Sequence, residues 1–131
     1  MPKRILIVED EISVRNAVRA FLQTQPSFEV CGEASNGAEA VEKAHALQPD
    51  LIILDLSMPH MNGIEAASVL RSRVPNVPVI VYTMFGDVLG KQLAAALGVA
   101  AIVSKSDGLP ILLRRIESLL QSGTLAQPPA A

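Results

Sequence analysis

Leu51-Ile52-Ile53-Leu54-Asp55-Leu56-Ser57-Met58-Pro59 is the stretch whose reading decides the fold. Four consecutive Leu and Ile residues set between Pro49 and Pro59 read as a short strand buried on both faces, as in a parallel sheet covered by helices on each side. Asp55 follows at once and is carried to the C-terminal edge of that sheet, where open α/β folds gather their ligands. An Asp after a strand can also be a plain turn former or helix cap. The ends of the other strands must decide between chemistry and punctuation.

Working outward, Ile5-Leu6-Ile7-Val8 is a second apolar run, and it stops at Glu9-Asp10-Glu11. Val14, Ala17, Val18, Phe21 and Leu22 then recur at helical spacing, and Pro26 ends that amphipathic helix. Phe28 to Ala34 reads as a strand, and Asn36-Gly37 as a turn before a helix over 38–47. Beyond the Asp55 strand and a loop through Met58-Pro59-His60-Met61-Asn62-Gly63, Ile64, Ala67 and Leu70 mark a helix closed by Val74-Pro75. Val79-Ile80-Val81-Tyr82 repeats the buried-strand pattern and ends at Thr83. Asp87 is placed to cap a helix over 88–97, with Gly98 just past its end. Val99 to Val103 reads as a fifth strand ending at Ser104-Lys105. Ser106 or Asp107 is expected to cap a last helix with Leu109, Leu112, Leu113, Ile116, Leu119 and Leu120 on its apolar face, Pro110 being tolerated in the first turn.

Five strands alternating with five helices specify an α/β, three-layer sandwich: a five-stranded parallel sheet with helices on both faces. The domain is expected to span 1–121. Residues 122–131, with Gln127-Pro128-Pro129, read as a C-terminal tail or linker.

The 131 residues are 50% hydrophobic but only 3% aromatic, so the core must be aliphatic. A formal charge of −2 gives no basic footprint and argues against nucleic-acid binding by this domain itself. The single cysteine, Cys31, excludes an internal disulfide, fits a reducing cytosol and is expected to pack rather than react. The N-terminal apolar run is too short for a signal peptide, and no segment approaches a membrane span. A soluble, cytoplasmic protein with no membrane partner is expected.

The strand ends share one theme. Glu9-Asp10 follows the first strand, Asp55 the third, Thr83 the fourth and Lys105 the fifth, so three carboxylates, one hydroxyl and one ammonium crowd one sheet edge. Solvated loops make a single polar strand end unremarkable, but this set on four strands points to a site.

On Ile-Leu-Ile-Val-Glu9-Asp10-Glu11, Leu-Asp55-Leu-Ser-Met-Pro59-His-Met-Asn-Gly63, Thr83 and Lys105, the chain resembles the receiver domain of bacterial two-component response regulators, over about residues 3–121. The resemblance implies a flavodoxin-like sheet of order 2-1-3-4-5. It also implies a phosphoacceptor signalling domain rather than an enzyme acting on other molecules, with phosphorylation and dephosphorylation of Asp55 self-catalysed. Three carboxylates about 5 Å apart repel by roughly 3 kcal/mol per pair at an effective dielectric near 20, more in sum than one lysine offsets. A proton or a hard cation must enter, and all-oxygen ligands favour Mg²⁺ or Mn²⁺. By resemblance, Asp10 and Asp55 ligate the ion, the backbone carbonyl of Ser57 adds an oxygen, and Glu9 acts largely through water. The implied donor is a phosphohistidine on a sensor histidine kinase or phosphotransfer protein, or a small acyl phosphate. Thr83 is implied as the switch hydroxyl and Lys105 as the cation that neutralises phosphoryl oxygens. A homodimer through the helix 88–97 and last-helix face would be a second partner arrangement.

Two positions depart from the family pattern. Ile102 stands where an aromatic switch residue is common, and Ser106 where proline often follows the lysine. Ser57 and Phe85 flank the expected phosphoryl pocket, and a bulky Phe85 could slow autodephosphorylation. His45, His60 and Arg114-Arg115 read as surface residues. Two readings from other classes are disfavoured. A haloacid-dehalogenase-like phosphatase requires an Asp where Ser57 stands, and a flavodoxin-like cofactor carrier would meet repulsion from Glu9-Asp10-Glu11 at its phosphate loop.

Overall fold

The computed structural model describes residues 2–56, 63–84 and 94–120, and the backbone of 121–125. Strands β1 (Lys3–Val8), β2 (Phe28–Ala34), β3 (Leu51–Leu54), β4 (Val79–Thr83) and β5 (Ala101–Ser104) form one parallel sheet in the order β2-β1-β3-β4-β5. Helices α1 (Ile12–Gln23), α2 (Gly37–Leu47) and α3 (Gly63–Arg73) follow the first three strands, and a last helix spans Leu109–Leu125. Among the described residues no helix is long and apolar enough to cross a membrane.

The two-residue repeat of each strand divides the core into two layers. Ile5, Ile7, Leu51, Ile53, Ile80, Tyr82 and Val103 face one side, where Val18 and Leu22 of α1 meet Leu112 and Ile116 of the last helix. Leu6, Val8, Ile52, Leu54 and Val79 face the other, under Ala40 and Ala44 of α2 and Ala66, Ala67 and Leu70 of α3. Alanines on this second face let two helices lie close to the sheet and to each other. The strands on which the functional residues ride are thus clamped from both sides.

Several boundaries differ from the sequence pattern, each for a local reason. Gly37 belongs to α2 rather than to a turn, because the Asn36 side chain accepts from the Glu39 amide at 2.9 Å and caps the helix one residue earlier. Ile64 is half exposed, and Ala66, Ala67 and Leu70 carry the buried stripe of α3 instead. Ala17 of α1 is likewise exposed. The last helix is not capped by Ser106 or Asp107. A 3₁₀ turn over Lys105–Asp107 intervenes, and Gly108 precedes the helix with φ +88°. Its backbone stays helical through Leu125, past the end of the apolar pattern, since hydrogen bonding can propagate a turn beyond packing. β5 begins at Ala101 because Val99 is occupied elsewhere: its amide donates to Ala94, and that of Gly98 to Ala94 and Ala95. That pair of bonds is a Schellman closure, and it ends a helix described over 94–97. The remainder of the helix expected at 88–97, with Asp87, lies outside the described residues.

Gly98 sits at φ +73°, and a Cβ there would also overlap the Arg71 side chain from α3. Gly98→Ala is therefore expected to lower unfolding free energy by about 1–2 kcal/mol, the cost of a left-handed L-residue, with more if Arg71 cannot move aside. Urea denaturation of wild type and variant measures the difference.

Candidate functional site

The acidic site is assembled by strand ends. β1 ends at Val8, so Glu9 and Asp10 emerge at the C-terminal edge. β3, its hydrogen-bonded neighbour, ends at Leu54 and delivers Asp55 beside them. The Asp55 amide donates to the Val8 carbonyl at 3.0 Å, which fixes the two carboxylate-bearing turns to each other. On the far side of β3, Thr83 closes β4 and pairs in register with Ser104, one residue before Lys105. Glu9, Asp10, Glu11, Asp55, Thr83, Met84 and Lys105 line a cavity of about 320 Å³.

Carboxylate oxygens of Glu9, Asp10 and Asp55 lie within 4.8 Å of one another. Glu9 and Asp55 are buried at 4% and 5% exposure, and Asp10 is exposed. Lys105 places its Nζ 2.8 Å from Glu9 Oε1 and 3.7 Å from Asp55 Oδ1. Its closer partner is thus Glu9, and it bridges the two buried acids. Solvent screens Asp10, so repulsion falls chiefly between Glu9 and Asp55. Burial pushes the Glu9 carboxyl up from the ordinary value, against the Lys105 hydrogen bond, with Asp55 adding to the rise. Burial pulls Lys105 down, but Glu9 and Asp55 outweigh it and hold the ammonium above its ordinary value. Three acids with one base leave a formal surplus of two negative charges.

That surplus and donor set fit a hard divalent cation. Mg²⁺–oxygen distances of about 2.0–2.1 Å put opposite ligands roughly 4.2 Å apart, so small movements of an exposed Asp10 bring the three oxygens within reach of one ion. Ser57 lies outside the described residues, as do His60 and Phe85. Gly63, the first residue of α3, meets the Asp55–Leu56 backbone. Its amide donates to the Leu56 carbonyl at 2.9 Å, and a Cβ there would overlap the Asp55–Leu56 backbone. Only glycine permits that approach directly behind Asp55.

Residues 5–117 match the response regulator receiver domain. The chain belongs to that family. It is 41% identical over 85 residues, 65% of this chain, to the response regulator protein VraR of Staphylococcus saprophyticus, and spans about two fifths of the length of the curated relatives it matches. Among solved structures it is similar to the response regulator domain of Thermotoga maritima CheB, with 30% identity, TM-score 0.77 and coverage of 92% and 93% of the two chains. The receiver domain of AraT from Geobacillus stearothermophilus gives 30%, 0.81, 97% and 98%. CheY in the CheX–CheY–BeF3–Mg²⁺ complex of Borrelia burgdorferi gives 27%, 0.78, 92% and 90%. The protein is the receiver domain of a two-component response regulator, and its acidic cluster fits the phosphoacceptor site of that family.

Residues around the site include two, Arg15 and Met84, that its sequence motifs did not mark. Arg15 of α1 donates to the Glu9 carbonyl at 2.9 Å and to Glu33 of β2 at 3.2 Å. Its position four residues after Glu11, on the exposed side of the α1 pattern, gave no sign of this. Met84, 65% exposed, stands at the cavity rim. Tyr82 points into the α1 and last-helix layer, the opposite face from Ile52 and Leu54, and Ile102 beside it is half-buried. Cys31 packs half-buried against the alanine-rich layer, where burial pushes its thiol up. His45, Arg114 and Arg115 are exposed.

The raised Glu9 value has a definite sign for stability. Between the raised folded value and 4.5 for the unfolded chain, the folded state binds more protons, so this group favours folding as pH falls. In chelator-treated protein, the stability of wild type relative to Glu9→Gln is expected to increase from pH 7 towards pH 5. Denaturant midpoints measured across that range check it, and an unchanged difference would contradict the burial of a strained carboxylate.

Proposed function

We propose that Asp55 accepts a phosphoryl group in a magnesium-dependent transfer from a phosphohistidine on a sensor histidine kinase or phosphotransfer protein. The observation that supports this most is the convergence of Glu9, Asp10 and Asp55 on one point beside a single ammonium. An Asp55 oxygen attacks phosphorus, the bond from phosphorus to the donor imidazole breaks, and that imidazole is left to take a proton from solvent. Asp10 and Asp55 would hold the ion directly and Glu9 largely through water, with the Ser57 carbonyl as the further oxygen that family membership implies. Bound Mg²⁺ supplies neutralisation of the phosphoryl oxygens and their alignment.

Lys105 can follow the charge without leaving the pocket, since it already spans Glu9 and Asp55. Donating to a phosphoryl oxygen costs it one carboxylate partner and returns a more concentrated anion. Thr83, 1% exposed at the end of β4, borders the same cavity, so its hydroxyl can reorient to a phosphoryl oxygen and draw the chain after it inward. That movement would bias the surface of 88–97 and the last helix, where an output partner or a second copy would dock. Residues 1–121 make the receiver and 122–131, the first four of which continue the last helix, a tail or linker, working in the cytoplasm. Nucleic-acid binding is assigned to no residue of this chain, and catalysis to nothing beyond its own phosphorylation and dephosphorylation.

Incubation with a small acyl phosphate and Mg²⁺ is expected to add one phosphoryl mass to wild type and none to Asp55→Asn, with chelator abolishing the addition. Equal modification of Asp55→Asn in intact-mass spectra would refute the assignment. Thr83→Ala is expected to be phosphorylated normally but to lose most of the phosphorylation-induced amide shifts over 88–97. A full set of those shifts in the variant would remove Thr83 from the switch.

A further inference from the structure

Glu9 is tied down at four points. Its amide donates to the Ala34 carbonyl at 2.9 Å, its Oε1 receives Lys105, and its Oε2 accepts from the Glu11 amide at 3.2 Å. The fourth tie is its own carbonyl, which accepts from the Arg15 guanidinium. Parallel pairing of β1 ends at Val8, so the sheet ladder does not determine how the next peptide is turned. That peptide joins Glu9 to Asp10 and is planar, so fixing the Glu9 carbonyl also fixes the Asp10 amide and the direction in which Asp10 leaves the strand.

Arg15 is itself anchored. Its Nε donates to Glu33 Oε1, and Arg19 donates to both Glu33 oxygens at 2.9 and 3.2 Å. Lys43 of α2 donates to the Glu33 backbone carbonyl. Edge strand β2 is thereby joined to α1, to α2 and to the acidic turn. The guanidinium fork suits this task, because separate nitrogens reach a carbonyl and a carboxylate at once, which an ammonium cannot do with the same rigidity. Glu33 offsets one of the two guanidinium charges that meet on it, which limits the positive potential beside a pocket that attracts cations.

We propose that Arg15 is a positioning residue for divalent-cation binding: anchored on Glu33, it holds the Glu9 carbonyl and so aims the Asp10 carboxylate at the ion. This rests on the reading of Glu9, Asp10 and Asp55 as the Mg²⁺ pocket. A purely electrostatic role has the opposite sign, because deleting a positive charge near three carboxylates would tighten Mg²⁺. A purely structural role would lower stability and leave the affinity of the folded protein unchanged.

Isothermal titration of the full chain with Mg²⁺ separates these. Arg15→Met is expected to weaken Mg²⁺ about tenfold, the loss typical of outer partners that orient metal ligands. Arg15→Lys, which keeps the charge, is expected to show a smaller loss of the same sign, and it decides the matter if Arg15→Met does not fold. An unchanged or tighter dissociation constant in the folded variant overturns the proposal. A second measurement needs no metal: exchange of the Glu11 amide, which reports whether the Glu9 carboxylate is held, is expected to quicken about tenfold in metal-free Arg15→Lys. Unchanged exchange there counts against the tie. Absence of Mg²⁺ binding by wild type would instead refute the assignment of the pocket, leaving the tie to be judged on exchange alone.

Discussion

Negative charge in excess, gathered where parallel strands end, is the constraint on which the rest of this molecule depends. Two of the three carboxylates are buried, and one ammonium bridges them. Such a group tends to disperse: burial disfavours each ionised acid, and the acids repel one another. It persists because β1 and β3 are adjacent, paired strands whose ends cannot move apart without breaking the ladder that contains Leu6, Ile7, Val8, Ile52, Ile53 and Leu54. The sheet bears the load, and a divalent cation bound there would relieve it.

The two layers of that core serve the site differently. Beneath α2 and α3 the contacts are made by Ala34, Ala40, Ala44, Ala66 and Ala67, and the helices sit close enough for Gly63 to touch the backbone behind Asp55. On the other face, the larger Val18, Leu22, Leu112 and Ile116 make the contacts of α1 and the last helix. The α2 and α3 face supports the turn that carries Asp55. At the ends of β4 and β5, buried Thr83 and the ion-paired Lys105 border the cavity beside exposed Met84.

The network around Glu33 extends the same logic to the edge strand. An edge strand has only one ladder to hold it, and here three cations from two helices grip one residue of β2. The acidic turn after β1 is braced against that edge through Arg15. Arg15 thus divides its guanidinium between the acidic turn and Glu33, whereas Arg19 is engaged by Glu33.

Patterning along the chain was sufficient to determine the strand and helix order, the aliphatic core and the arrival of Glu9, Asp10, Asp55, Thr83 and Lys105 at one edge. Apolar runs of four residues and helical repeats are local properties, and parallel topology converts strand ends into neighbours without further information. Helix ends were less legible: Asn36 and Gly108 act through side-chain and backbone bonds one turn away, which hydrophobicity does not encode. Tertiary structure alone decided that Lys105 lies closer to Glu9 than to Asp55, that Gly63 abuts the backbone behind Asp55, and that Arg15 reaches the Glu9 carbonyl while holding Glu33. Each of those contacts joins residues on different elements, and their partners are chosen by where packed helices come to rest on the sheet rather than by any spacing a single segment can carry.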